Sequence, residues 1–201
     1  MIAHSPDTLD SLLSDFRRCQ LCKGKIPEPK PVIRASSSAR ILVIGQAPGT
    51  RVHATGIPWN DPSGERLRQW MGVDRQVFYD ESRVAIMPMG LCYPGKGKSG
   101  DLPPRPECAP RWHQLVLDQL PAIQCTLLIG QYAQRYYLEP PLPSVSATVA
   151  NWEAYAPAHY VMPHPSPRNQ LWLRKNPHFE KNTVPHLQRT LGKLLSEQPV
   201  A

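Results

Sequence analysis

The stretch ARILVIGQAPG, residues 39–49, decides the fold. Ile41 to Ile44 form an unbroken apolar run with three β-branched members, and the run stops at Gly45. Four residues are too few for a helix and show no polar alternation, so the run reads as a short strand buried on both faces. Such strands belong to sheets that helices cover on either side. Working outward, RVAIMPM (83–89), CTLLI (125–129) and HYVMPH (159–164) have the same character. Helical spacing lies between and around them. It is found in DTLDSLLSDFRRC (7–19), in SGERLRQWMGV (63–73) with Ser63 as expected N-cap and Gly72 at its end, and in PECAPRWHQLVLDQLPAI (106–123). It recurs in GQYAQRYYL (130–138) and EKNTVPHLQRTLGKLLSEQ (180–198). Strands alternating with helices predict an α/β protein, a three-layer α/β/α sandwich around a mostly parallel four-stranded central sheet. Ligands of such sheets bind beyond the carboxyl ends of the strands. Three unusual loops fall there: GQAPG (45–49), GLCYPGKG (90–97) and HPSPRN (164–169).

A chain of 201 residues with 41% hydrophobic content supports one good core, so residues 1–201 are expected to form a single domain. The formal net charge of +7 favours a polyanionic partner. No run of 18 apolar residues exists, and the N-terminal MIAHSPDTLDSLLSDF carries acids where a signal peptide needs positive charge. A cytoplasmic protein without membrane contact is expected. In that reducing setting clustered cysteines read as metal ligands or redox groups. The prolines concentrate in KIPEPKPV, DLPPRPECAP and LEPPLPSV, which read as stiff loops.

Cys19 and Cys22 form a C-x-x-C after the first helix, and Cys92 and Cys108 flank the Pro- and Gly-rich excursion after the second strand. Zinc held by four thiolates generally uses two tight knuckles, whereas iron–sulfur clusters tolerate mixed spacings. Both metals stay open from spacing alone. Cys125 begins a buried strand and reads as core.

GQAPG after a first strand, the preceding C-x-x-C, the Cys92 and Cys108 pair and the late HPS of His164–Ser166 together resemble the uracil-DNA glycosylase superfamily. The nearest branches are its iron–sulfur members, and HPSPRN resembles the motif of the single-strand-selective branch. The likeness runs from Cys19 to the terminal helix. It implies a monofunctional DNA glycosylase of base-excision repair, monomeric, hydrolysing the N-glycosidic bond of uracil or a related altered base in DNA. It also implies a 4Fe-4S cluster on Cys19, Cys22, Cys92 and Cys108, with zinc as the alternative. Two other readings are a non-catalytic nucleic-acid binder of the same fold and a nucleoside or nucleotide N-glycosidase.

Base excision requires the base to be flipped out of the stack into a pocket, and negative charge then builds on it as the glycosidic bond breaks. By the resemblance, His164 donates to the base carbonyl. Gly45 and Gly49 permit close approach of the nucleotide, and the backbone around Gln46, Ala47 and Pro48 binds base oxygens. Many relatives carry an acid at the second position of this loop; Gln46 there cannot serve as a general base, so another group must orient the attacking water, with Gln46 or a backbone-held water the next candidate. Asp61, in Asp61-x-Ser63-Gly64, matches an aspartate proposed to orient water in one iron–sulfur branch, and it reads equally as a helix cap. Trp59 stands where relatives stack a phenylalanine on the base, or is a buried structural ring. Pro88 replaces the asparagine that relatives use to select uracil, which widens the expected base range. Ser166 joins the base pocket, and Arg168, Asn169, Trp172, Arg174 and Lys175 are expected to face DNA, as phosphate-binding cations and a gap-filling side chain.

Overall fold

The structure is a computed structural model that describes residues 8–196. Residues 1–7 and 197–201, the ends of the expected domain and part of the N-terminal segment read for a leader, lie outside the described residues. Four strands, β1 (Ile41–Ile44), β2 (Val84–Ile86), β3 (Cys125–Ile129) and β4 (His159–Met162), form one sheet in the order β2-β1-β3-β4. Every pairing is parallel, with Ile41 opposite both Val84 and Cys125, and Thr126 opposite His159. The strands are buried almost throughout, as the apolar runs require.

Nine α-helices flank the sheet among the described residues: α1 (Leu9–Arg17), α2 (Thr50–Thr55), α3 (Pro62–Met71), α4 (Arg75–Tyr79), α5 (Cys108–Leu117), α6 (Gly130–Tyr137), α7 (Val145–Ala150), α8 (Gln170–Lys175) and α9 (Val184–Ser196). The chain leaves β1 toward β2 on one side and later passes to β3 on the other. Parallel crossovers are right-handed, so this reversal puts α2–α4 and α5 on opposite faces. The packing agrees. α3 lies on α9, α1 on α5, and α6 on α7. The reversal also makes a topological switch point between β1 and β3, and sheets of this kind take ligands beyond the carboxyl ends of their strands near such a point.

The cap of α3 differs from expectation. Asp61 is the N-cap, its Oδ1 accepting from Gly64 N at 2.8 Å, with Pro62 as first helical residue and Ser63 buried inside the first turn. Proline suits that position because its missing N–H is an orphan there anyway. Helices α2, α4, α7 and α8 have six residues or fewer and leave no periodic stripe to read. Before α9 the chain makes a π turn over Phe179–Thr183, with Val184 N bonded to Phe179 O. Pro185 follows, and its lack of an amide removes the bond that would have kept α-helical register there.

His113 of α5 is fully buried. Its Nε2 lies 3.2 Å from Pro88 O and its Nδ1 2.6 Å from Tyr137 Oη. A carbonyl only accepts, so Nε2 carries the proton and Nδ1 accepts from the tyrosine. Burial pushes the imidazole down to about 4, which keeps it neutral in this relay. Pro88 thus turns its carbonyl into the core and leaves its ring at the crevice.

Candidate active site

A crevice of about 590 Å³ opens at the carboxyl ends of the strands. Gly45, Gln46, Ala47, Pro48, Gly49, Trp59, Asp61, Pro88, His164, Ser166 and Arg168 all line it, brought together from four segments of the chain. Val32, Ile86 and Pro88 form an apolar part of the wall. Sequence reasoning passed over Thr50, Lys96, Gly100 and Asp101, which line it as well.

His164 stands in the wall with part of its ring reaching the cavity. Ser166 N donates to His164 Nδ1 at 3.2 Å, which fixes that nitrogen as acceptor and leaves Nε2–H as the donor. Burial lowers its pKa, and Asp61 and then Asp101 act weakly in the opposite direction. A neutral ring with a free N–H donor results. Asn169 Nδ2 donates to His164 O at 2.8 Å and so braces the loop from within.

Trp59 has φ 55, the one non-glycine residue with positive φ among those described. That conformation costs on the order of 1 kcal/mol or more and persists only where neighbours enforce it. Arg68 Nη1, itself buried, holds Trp59 O at 3.2 Å, and Tyr79 Oη holds the preceding Pro58 O at 2.9 Å. The indole lies 5.7 Å from the His164 ring, centroid to centroid. A Cβ on Gly45 would come within 2.7 Å of Trp59 Cζ2. Gly45 therefore makes room for the tryptophan, not for the nucleotide as the sequence suggests.

The excursion after β2 folds back as a flap. Lys96 bridges Asp101 across it, Leu102 N donates to Gly95 O at 2.9 Å, and Gln46 Nε2 donates to Leu102 O at 3.3 Å. Met89 N and Gly90 N bond to Gly45 O and Gln46 O, so the base of the excursion is zipped to GQAPG.

The family model of the uracil DNA glycosylase superfamily matches residues 33–188, a span that contains every crevice-lining residue but Val32. The chain belongs to the uracil DNA glycosylase superfamily. Within that superfamily chain, the segment expected to face DNA divides in two. Arg168 sits at the crevice rim, and Arg174 and Lys175 are exposed on α8. Trp172 is turned inward instead: its Nε1–H donates to Ser146 Oγ at 2.8 Å and its ring packs against Phe179. Asn169 is likewise spent on His164 O. Leu171 is 57% exposed beside these cations and takes the outward place that the sequence assigned to Trp172.

Cys19, Cys22, Cys92 and Cys108 line one small cavity of about 20 Å³ on the other side of the Gly90–Cys92 segment, with Cys19 and Cys22 outside the family match. Leu91 N lies 3.3 Å from Cys108 Sγ, the geometry of an amide donating to sulfur. Arg105 also lines the cavity and pairs with Glu107 at 2.6 Å, holding that carboxyl down at about 2. Burial pushes Cys92 up to about 12 and Cys108 to about 11, so a metal must displace protons to bind there. Among the described residues no three His, Cys, Asp or Glu side chains are drawn into a finished metal cage. The donor set, four thiols with an amide donor and an arginine beside them, fits a thiolate-bound group. Cys125 is separate, buried in β3 as core. No helix among the described residues is long and apolar enough to cross a membrane.

Proposed function

We propose that the protein is a monofunctional DNA glycosylase that hydrolyses the N-glycosidic bond of a deaminated or otherwise altered base during base-excision repair. The observation that carries this reading is His164, neutral and with Nε2–H free, beside Trp59 in the crevice of a superfamily member. A flipped base stacks on Trp59, and its carbonyl accepts from His164 as the bond breaks and charge moves onto the base. Gln46 puts no acid in the GQAPG loop, so the attacking water is oriented from elsewhere on the wall, where Asp61 and Asp101 stand. Arg168, Arg174 and Lys175 bind phosphates, and Leu171 fills the gap the base leaves. With the Pro88 carbonyl tied to His113 and its ring at the wall, position 88 offers no side-chain amide to read the Watson–Crick edge, which supports a base range wider than uracil alone.

The test is a panel of single- and double-stranded oligonucleotides, each with one altered base, followed by alkaline cleavage at any abasic site. Release from at least one altered base and none from the ordinary four is expected. Binding without release from any member would favour a non-catalytic nucleic-acid protein, and release from free nucleosides alone would favour a nucleosidase.

We further propose that Cys19, Cys22, Cys92 and Cys108 hold a 4Fe-4S cluster. Bound there, the cluster pins the Gly90–Cys92 segment, which is bonded to GQAPG, and supplies no chemistry to base release. Anaerobically purified protein is expected to be brown with iron and sulfide in stoichiometric amount. Colourless protein with one zinc would replace the cluster by zinc and leave the fold untouched.

A further inference from the structure

Resting on the glycosylase reading, we propose that Asp101, carried in by the flap, is the carboxylate that orients the attacking water and takes its proton, while Asp61 serves chiefly to cap α3. Two carboxylates reach one crevice. They are not equally free. Asp61 spends Oδ1 on Gly64 N at 2.8 Å and thereby fixes the turn that presents Trp59. Asp101 spends neither oxygen: it forms no hydrogen bond or ion pair with the described residues, including Lys96 opposite it in the bridge.

Its place is nonetheless fixed by the backbone. Leu102 is held on one side by Gly95 O and on the other by the Gln46 side chain, so the residue before it is carried onto the GQAPG loop. Asp101 Oδ2 lies 3.3 Å from where a Cβ on Gly49 would be, so the carboxylate rests against the GQAPG loop. The loop that lacks an acid of its own has an acid laid against it from 52 residues away in sequence. A bare carboxylate at the mouth of a site for a polyanion also costs phosphate repulsion, which only a cationic or proton-giving partner offsets. A water attacking an oxocarbenium-like sugar is such a partner.

The step balances as one hydrolysis. The water oxygen bonds to C1′, its proton passes to the Asp101 carboxylate, and the C1′–N bond breaks with its electron pair leaving on the base, where His164 Nε2–H meets it. The base anion takes a proton from solvent and Asp101 returns one to solvent.

The experiment measures single-turnover base release, on the best substrate of the panel, for wild type, Asp101→Asn, Asp101→Glu, Asp101→Ala and Asp61→Asn, together with DNA affinity and thermal melting. Asn caps helices as well as Asp, so Asp61→Asn keeps the turn. Asp101→Asn is expected to slow release about 10²-fold or more with affinity and melting unchanged, since general-base groups contribute at that scale. Asp101→Glu should recover part of that loss, added formate should speed Asp101→Ala, and Asp61→Asn should stay within about tenfold of wild type. Release by Asp101→Asn within threefold of wild type, or a change of preferred base in place of a rate loss, overturns the assignment. So does a deeper loss in Asp61→Asn than in Asp101→Asn. If the wild type releases no base from any oligonucleotide, the glycosylase reading falls first and the role of Asp101 falls with it.

Discussion

His164→Ala is expected to slow single-turnover base release by about 10²–10³, which corresponds to about 2.7–4 kcal/mol of lost transition-state stabilisation. Its Nε2–H is a donor aimed into the crevice, and the charge it meets exists mainly once the glycosidic bond is breaking. DNA affinity should therefore change little, because an interaction made chiefly in the transition state is lost from the rate and not from ground-state binding. The ring's bond from Ser166 N is lost, but Asn169 still holds the backbone carbonyl of residue 164, so folding is checked by thermal melting alongside the rate. The same histidine sets a pH dependence. Its folded pKa is lowered from the ordinary 6.5 by burial, so the ring stays neutral where the unfolded chain already takes a proton. Its contribution to stability is complete above 6.5 and is lost as pH falls from there toward the lowered folded value. His113, pushed down to about 4, acts in the same direction. Urea titrations at pH 7.5 and pH 5 should show the lower stability at pH 5. Equal stability at both would mean that neither ring is buried neutral.

Gly64→Ala is expected to be among the most damaging single-methyl changes in the protein. The added Cβ would lie 1.7 Å from Trp59 O and 2.6 Å from its carbonyl carbon, both backbone atoms that cannot swing aside. That carbonyl is also the one Arg68 grips, and Gly64 N is the donor that Asp61 caps. Relief would require moving the turn that holds Trp59 in its left-handed conformation. A loss of about 3 kcal/mol is expected, the upper end of what overpacking typically costs, because the crowded atoms are backbone and cannot swing aside. For a chain of this size that lowers the melting temperature by roughly 6–12 °C. Gly192→Ala is the control of opposite sign. Gly192 lies within α9 with nothing within 4 Å of its added methyl, so it should gain about 0.5–1 kcal/mol from helix propensity. Calorimetry on the two variants checks both signs, and a Gly64→Ala protein that melts with wild type would show that the turn is not the rigid piece described here.

Much of the architecture was legible in the chain because the patterns that carry it are local. A run such as Ile41–Ile44 announces a strand within four residues, and Leu9, Leu12, Leu13 and Phe16 announce a helix within two turns. The placement of loops followed from the same patterns, because parallel strands put all their carboxyl ends on one rim. His164, Trp59, Asp61 and Pro88, singled out by the resemblance of their motifs to the superfamily, do meet in one crevice.

What the sequence determined by itself was this: which segments are strands, which are long helices, that four cysteines form two pairs, and which loops share a rim. Only the tertiary structure decided how individual side chains are spent. Trp172 and Leu171 are neighbours in sequence, yet the indole goes inward because Ser146 and Phe179 offer it a hydrogen bond and a packing face, and the leucine is left outside. Gly45 serves an indole 14 residues away, and the Pro88 carbonyl is claimed by an imidazole 25 residues away. Asp101 reaches the GQAPG loop only after the flap closes over it. Periodicity is written within a few residues and survives in one dimension, whereas these contacts depend on the closure of long loops, which no local pattern encodes.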